Sequence, residues 1–183
     1  MTLEQGTATP AAYELNGKLI TPEQFYSIAC DPRRSVAVEA CAGAGKTWML
    51  VSRMLRVLLL DETLAGACQA HEILAITFTK KAAAEMRQRL NEWLLDFSKR
   101  PADYLENELR KRGLNAVDAK NKSNQLRNLY ASLLDKDRGV QIKTFHAWFA
   151  SLLRNAPLSV FETLNLPPVY TLLEDDKTAI AGV

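Results

Sequence analysis

Short apolar runs alternate with amphipathic segments along most of the chain, which predicts strands that alternate with helices. The run at Ser35–Ala40 predicts a first strand, and the run at Gly139–Phe145 predicts a third. Between them, the almost continuously apolar run at Glu72–Phe78 predicts a second strand that is buried on both faces. This alternation favours an α/β fold, in which helices cover both faces of a parallel sheet.

Four amphipathic segments predict the helices of this arrangement. The first begins after Thr21, an N-cap residue that is followed by Pro22 in the first turn. The second covers Trp48–Leu60, directly after a glycine-containing loop. The other two follow the second and third strands, and each carries an apolar stripe with a helical repeat. The stripes consist of Ala82, Met86, Leu90, Trp93 or Leu94, and Phe97, and of Phe145, Phe149, Leu152 and Leu153.

Two segments depart from this pattern and set the expected domain organisation. Residues 1–18 are small, polar and aperiodic, so we expect a flexible N-terminus ahead of one domain over residues 19–183. Residues 98–138 are polar and helix-prone and hold ten Lys or Arg against six Asp or Glu. They predict a small helical insertion, whose basic excess is either a solvated surface or a contact for duplex DNA. The chain from Pro157 to the segment VYTLLED is expected to be a loop.

Composition narrows the class of protein only slightly. The 183 residues are 48% hydrophobic and 24% charged with a net charge of +2, which is typical of an ordinary globular protein. No apolar run reaches the roughly 18 residues that a membrane span requires, so no membrane partner is expected. The three cysteines are widely spaced and match neither a disulfide framework nor a zinc site, which indicates a reducing, cytoplasmic setting.

The segment Ala40–Thr47, ACAGAGKT, fits a phosphate-binding loop with Ala in place of the first glycine. Gly43 and Gly45 allow the backbone to curl so that successive N–H groups point at phosphate oxygens. Lys46 would reach the β and γ phosphates of ATP, and the Thr47 hydroxyl would bind Mg²⁺. The loop follows a predicted strand and precedes a predicted helix, a context that favours nucleotide binding over a turn that binds nothing.

Three further segments resemble motifs of UvrD/Rep-type superfamily-1 DNA helicases, in the order found in that family. They are ITPEQFYSIA, ILAITFTKKAAAEMRQRL and IKTFHAWFASLL, and with the loop they cover about residues 20–156. The resemblance implies a RecA-like P-loop NTPase fold and an ATP-dependent DNA helicase that binds MgATP and single-stranded DNA. Trp48 after the loop, and the EACAGAGKT loop itself, resemble the RecB/AddA-like branch. That branch implies a repair exonuclease-helicase with other subunits.

The resemblance also implies a role for particular residues. Gln24 would contact the adenine of ATP, and the remaining nucleotide-binding residues would be Ala42, Gly43, Ala44, Gly45, Lys46, Thr47 and Trp48. The DNA-binding residues would be Thr77, Phe78, Thr79, Lys80, Thr144 and His146. Taken from the residues alone, each of three residues has a structural alternative: Gln24 as an ordinary surface residue, Phe78 as a core residue, and His146 as a residue that caps a helix or satisfies a backbone group.

ATP hydrolysis also needs carboxylates, which the resemblance places after a further strand. The segment VYTLLEDD ends in Glu174, Asp175 and Asp176 but resembles the linker before that acidic motif. We therefore expect a fragment of a larger enzyme that is inactive alone. Two other classes stay open: a P-loop kinase or transferase, and a non-catalytic DNA-binding module. The ITFTKKAAAEMR segment favours the helicase, and dependence of hydrolysis on DNA would separate the classes.

Overall fold

The computed structural model describes residues 13–41, 43–61, 68–135 and 139–165. These residues form a mixed α/β arrangement with a small parallel sheet and helices. In chain order, the elements are β1 (Tyr13–Leu15), β2 (Lys18–Ile20), α1 (Pro22–Ala29), α2 (Lys46–Leu58), a 3-10 turn (Ala70–Glu72), β3 (Leu74–Thr77), α3 (Lys80–Phe97), α4 (Ala102–Lys111), α5 (Ala116–Asp135), β4 (Gln141–Thr144), α6 (Phe145–Arg154) and α7 (Leu158–Thr163).

The parallel sheet in the described part of the chain consists of β3 and β4. They pair in register from Leu74 opposite Gln141 to Thr77 opposite Thr144, so both strands end at the same edge. Ile142 packs into the core on one face, whereas Leu74 is exposed on the other. The expectation that the second strand is buried on both faces is therefore wrong for the described residues, because helices cover only one face there.

The main hydrophobic core lies between that covered face and helices α2 to α5. Each of these elements contributes buried side chains, among them Leu55, Leu90, Leu105, Leu126 and Ile142. On α3 the buried positions confirm the predicted helical repeat, with Ala83 buried rather than Ala82 and Leu94 more deeply buried than Trp93. The core thus joins the predicted strand–helix unit to the polar segment that follows it.

Helices α4 and α5 fall in the segment 98–138, of which residues 136–138 lie outside the described part. The pair packs on the rest of the molecule through α3 and α2. Its long basic side chains donate hydrogen bonds to backbone carbonyls just beyond the ends of α2 and α3. Lys122 Nζ donates to Leu59 O, and Arg127 Nε donates to Arg100 O at 3.2 Å.

The structure differs from the sequence expectations at both ends and at the first strand. Residues Ser35–Ala40 are not a strand, because a strand needs a hydrogen-bonded neighbour and no described strand lies beside them. The hairpin of β1 and β2 forms within the segment 1–18 and just after it, and residues 1–12 lie outside the described part. A short helix, α7, replaces the loop expected after Pro157.

The stripe predicted on α6 is also placed differently. Phe145, Phe149 and Leu152 lie at the surface, and Ala150 is the buried residue of this helix. The open face of β3 and the open side of α6 are therefore both apolar surfaces. Among the described helices, none has the length and apolarity needed to cross a lipid bilayer.

Candidate functional site

The glycine loop leads directly into α2, as the sequence predicts. Gly43 and Gly45 adopt φ angles of +80° and +81°, in the left-handed region that glycine reaches without strain. Gly45 is the N-cap residue and has no side chain with which to cap the helix. The first-turn N–H groups of α2 are therefore available to an anion, in a position where the helix dipole favours negative charge.

Lys46 lies over the entrance to this loop. Its Nζ donates to Ala40 O and to Cys41 O, both at 2.6 Å, so the ammonium group bridges the two residues that precede the turn. An ammonium group has three donors, which leaves one for a further acceptor. Thr47 is half-buried in the first turn of α2, next to this lysine. Ala42, predicted to belong to the same loop, lies outside the described residues.

A cavity of about 390 Å³ opens onto the loop and onto aromatic side chains from the hairpin and α1. Burial, together with a 3.2 Å hydrogen bond between the hydroxyls of Tyr26 and Tyr13, raises the pKa of Tyr26 to about 12. The Tyr26 phenol is thus uncharged at neutral pH, and its ring forms an aromatic wall together with those of Tyr13 and Phe25. The cavity is lined by Tyr13, Glu14, Phe25, Tyr26, Val38, Glu39, Ala40, Cys41, Ala44, Gly45, Lys46 and Met49.

Gln24 lies apart from this cavity. Its Oε1 accepts from Thr21 N at 3.0 Å, and the Thr21 hydroxyl accepts from Gln24 N at 3.2 Å, so the pair forms a capping box at the start of α1. Gln24 lines a different cavity, on the side of α1 that faces Arg110 and Gly113. The predicted cap is confirmed, whereas the contact of Gln24 with adenine stays a prediction.

The predicted DNA-contacting residues gather at the carboxyl ends of the two paired strands. Thr77 is the last residue of β3, and its Oγ1 accepts from Thr79 N at 3.2 Å. Thr79 in turn caps α3 by accepting from Ala82 N at 3.1 Å. Between them, Phe78 is 92% exposed. The alternative that Phe78 belongs to the core is therefore wrong, and Lys80 follows on the exposed first turn of α3.

The matching end of β4 presents a second aromatic group. Thr144 is only 9% exposed, and its hydroxyl accepts from Ala147 N at 3.2 Å to cap α6. Because Thr144 is the cap, His146 does not fill that role and lies exposed in the first turn. The half-exposed ring of Phe145 lies 6.2 Å from that of His146 and stacks on Phe149 at 6.2 Å. Exposed aromatic rings therefore follow both strand ends.

One cluster near the phosphate loop was not predicted from the sequence. The buried guanidinium group of Arg112 lies over the rings of Trp48, Trp93 and Phe97, at 5.0, 4.5 and 5.2 Å from their centroids. Trp48, predicted among the nucleotide-binding residues, thus directs its ring into this cluster. No periodic pattern marks Arg112, because it directly follows α4 and contacts residues that are distant in the sequence.

Together, the helices, the small parallel sheet and the glycine loop at the start of α2 define a mixed α/β protein with a phosphate-loop motif. The chain belongs to the UvrD/REP helicase family, because the model of the UvrD/REP helicase N-terminal domain matches residues 20–180. This match covers nearly all of the chain.

Individual relatives agree with this assignment. An ATP-dependent helicase/nuclease subunit of Lactobacillus helveticus is 32% identical over 160 residues, 87% of this chain and 10% of the relative. The protein of the same name from Geobacillus kaustophilus is 41% identical over 86 residues, 46% of this chain and 7% of the relative. DNA helicase II of Escherichia coli is 43% identical over 61 residues, 33% of this chain and 8% of the relative. The chain thus spans a tenth or less of the length of these relatives.

Proposed function

We propose that the chain is the ATP-binding part of an ATP-dependent DNA helicase or translocase of the helicase–nuclease type, working in the cytoplasm. Its fold would be RecA-like, with the described parallel strands as part of a larger sheet. The observation that carries this proposal is the exposed ring of Phe78 at the edge where β3 and β4 end together. Open parallel sheets bind ligands beyond the carboxyl ends of their strands, and exposed aromatic rings stack on the bases of single-stranded DNA.

The residues of the loop fit a nucleoside triphosphate. Apart from each glycine and the residues on either side of it, no described heavy atom lies within 4 Å of the position that a Cβ would take on Gly43 or on Gly45, so phosphate oxygens can approach the backbone there. Lys46 would exchange its loop carbonyls for phosphate oxygens, and the Thr47 hydroxyl would bind Mg²⁺. Bound Mg²⁺ would neutralise charge on the phosphates. Gln24 and the backbone of Ala42, Ala44 and Trp48 complete the proposed nucleotide site.

At the DNA side, hydroxyl and backbone groups suit phosphate contacts, whereas rings suit bases. Thr77, Thr79 and Lys80 lie beside Phe78 and would hold the DNA backbone. His146 would do the same at the neighbouring strand end. The hydroxyl of Thr144 already caps α6, so the contribution proposed for this residue comes from its backbone and from the position that it gives to His146.

Two of the relatives are named as subunits, which supports the proposal that the full-length protein works beside another polypeptide. The P-loop kinase or transferase is not favoured, because the chain belongs to a helicase family. A non-catalytic DNA-binding module would keep the loop without using it. Duplex and single-stranded DNA are the proposed macromolecular substrates.

The test is ATP hydrolysis by the full-length protein, measured with and without single-stranded DNA. We expect DNA to stimulate hydrolysis strongly and the Lys46→Ala substitution to abolish it, since the lysine contacts the phosphates. Lys99→Ala, which removes an exposed lysine after the end of α3, is the matched control and should keep wild-type turnover. Hydrolysis that ignores DNA would leave a nucleotide site but remove the helicase, and DNA binding without any hydrolysis would support the non-catalytic module.

A further inference from the structure

The cluster around Arg112 joins three elements that meet behind the phosphate loop. Arg112 follows the end of α4 and is 2% exposed, and its guanidinium group faces Trp48 of α2 as well as Trp93 and Phe97 of α3. The three ring centroids lie 4.5 to 5.2 Å from its Cζ, within the distance at which a cation interacts with an aromatic face. The two indole rings also contact each other, at 5.9 Å.

Hydrogen bonds fix the position of this guanidinium group. Arg112 Nη1 donates to Glu108 O at 2.7 Å and to Glu108 Oε2 at 2.6 Å. The backbone carbonyl of Arg112 accepts from Arg56 Nη1 at 3.3 Å, and Arg56 Nη1 also lies 3.4 Å from Ser27 O of α1. The turn that carries Arg112 is therefore held by α2 and, through Arg56, by α1.

The cluster reaches the proposed nucleotide site through Trp48. Trp48 directly follows Thr47 in the first turn of α2, so the orientation of its ring is tied to that of the turn. Its ring contacts Tyr26 at 4.9 Å, and Tyr26 lines the same cavity as Lys46. Arg112 thus supports, from behind, both the turn that presents the phosphate-binding groups and one wall of the cavity.

Stability alone is a poor reason for this arrangement. Replacing a buried ion pair by apolar side chains of similar size is often neutral or stabilising, because two charges must be taken out of water. Among the described residues, Arg112 Nε has no hydrogen-bond partner, which adds to the cost of burial. An arginine does give one thing that an apolar side chain lacks: a planar group whose orientation is fixed by an acceptor and by rings on both neighbouring helices.

We propose that Arg112 is a positioning residue for nucleotide binding, which orients Trp48 and so sets the first turn of α2 against the phosphates. The proposal rests on the proposed function, because it concerns the same nucleotide site. It also assigns a role to the α4–α5 segment: the turn between these helices is part of the support of the phosphate loop.

The experiment compares Arg112→Met and Arg112→Lys with wild type in the full-length protein. ATP hydrolysis is measured against ATP concentration at saturating single-stranded DNA, and a fluorescent ADP analogue with Mg²⁺ measures binding directly. Both are recorded at temperatures where circular dichroism shows each variant to be folded. Arg100→Met is the matched control, because Arg100 also pairs with a carboxylate, Asp96, at 2.8 Å and lies 4.9 Å from an aromatic ring, Tyr104, but at the surface.

We expect Arg112→Met to lower kcat/KM for ATP by about 10-fold to 100-fold, mainly through KM, since small misplacements of binding groups have effects of that size. The dissociation constant of the ADP analogue should rise in parallel. Arg112→Lys should lie between wild type and Arg112→Met, because lysine keeps the charge without the planar fork. Arg100→Met should match wild type.

A folded Arg112→Met variant with the ATP kinetics of Arg100→Met would overturn the proposal, whatever its melting temperature. If Arg112→Met does not fold, Arg112→Lys provides the test instead. Wild-type ATP kinetics of that variant would equally overturn the positioning role. Failure of the proposed function is distinguishable, because it is read from the wild type alone. Wild-type protein that binds the ADP analogue but hydrolyses ATP without regard to DNA removes the helicase and leaves the positioning role standing.

Discussion

Phe78 is the residue whose surroundings separate a structural role from a DNA-binding role most clearly. An aromatic side chain that is 92% exposed contributes little to the core. Phe78→Ala should therefore leave the melting temperature unchanged and weaken binding of single-stranded DNA. Loss of one base-stacking contact corresponds to about 1–3 kcal/mol, or roughly a 5-fold to 150-fold higher dissociation constant. Fluorescence anisotropy with a labelled oligonucleotide would measure this change.

Two companion substitutions separate stacking from simple apolar contact at Phe78. Phe78→Trp keeps an aromatic face and should bind DNA at least as well as wild type, whereas Phe78→Leu should resemble Phe78→Ala. Equal affinity of all four proteins would show that the ring does not stack on bases. A drop in melting temperature for Phe78→Ala would instead point to a packing partner outside the described residues.

At the same scale, the sequence predicts residue types well but their surroundings poorly. The cap at Thr21 and the left-handed glycines of the loop follow from local chemistry, and the structure confirms the cap and shows positive φ angles at Gly43 and Gly45. Exposure of Phe78 depends instead on what packs near it. One apolar residue at the end of a predicted strand does not reveal which side chains surround it. The sequence therefore left the burial of Phe78 as an open alternative.

Among the elements, the contact between the α4–α5 turn and α1 depends on Gly113. Its φ angle is +84°, and a Cβ there would overlap Ser27 N and Tyr26 O in the backbone of α1. Gly113→Ala should therefore destabilise the fold by more than about 2 kcal/mol, from backbone strain plus the displacement of α1. Urea unfolding of the full-length protein, followed by tryptophan fluorescence, would measure the loss.

Gly17, in the turn of the hairpin, is the matched control for Gly113. Its φ angle of +81° is nearly the same, but apart from the residues on either side no described heavy atom lies within 4 Å of the position that a Cβ would take. Gly17→Ala should cost only the strain of a left-handed alanine, about 1 kcal/mol. Similar losses for the two variants would mean that the close approach of the α4–α5 turn to α1 adds nothing to stability.

The sequence predicted helices well, because their periodicity is a local signal. It predicted strands less well, because a strand also depends on pairing with a neighbouring strand. Helix α3 follows from its periodicity alone, and the structure adds its N-cap at Thr79, a residue type that favours this position. The hairpin was not predicted, although Asn16 followed by Gly17, between two short segments that mix apolar and charged residues, is a hairpin signal. Residues 35–40 have the composition of a strand, but composition does not supply the neighbouring strand that the ladder requires.

For the whole molecule, the unpredicted feature is the way in which distant segments join. Arg112 meets Trp48 and Trp93 across long stretches of sequence, and neither the helical repeat nor the charge count of residues 98–138 contains that information. The basic excess of this segment is therefore not a uniform surface property. One of its cations is buried against α2, the helix that follows the phosphate loop, and another, Lys122, donates to the backbone carbonyl of Leu59 at the end of that helix.

Two carboxylates, Asp31 and Glu108, make the stability of the folded state depend on pH. Burial alone raises the pKa of Asp31, but the hydrogen bonds and charge of Arg33 outweigh it and hold the pKa below its usual range. Burial acts on the pKa of Glu108 in the same way, and Lys111 and Arg112 likewise hold it below its ordinary value. Both pKa values are lower in the folded state than in the unfolded chain. As the pH falls towards about 4, the unfolded chain therefore binds more protons than the folded protein does.

The stabilisation from Asp31 and Glu108 is thus present above the pKa values of the unfolded chain and is lost as the pH falls through those of the folded state. We expect the urea midpoint to fall between about pH 5 and pH 2, and to fall less steeply in Asp31→Asn and in Glu108→Gln. Glu162→Gln, at an exposed position on α7, should keep the wild-type profile. If the profiles of all three variants coincide with that of the wild type, neither ion pair contributes to acid stability, and the backbone carbonyl of Glu108 and the aromatic rings are the remaining contacts of the Arg112 guanidinium group.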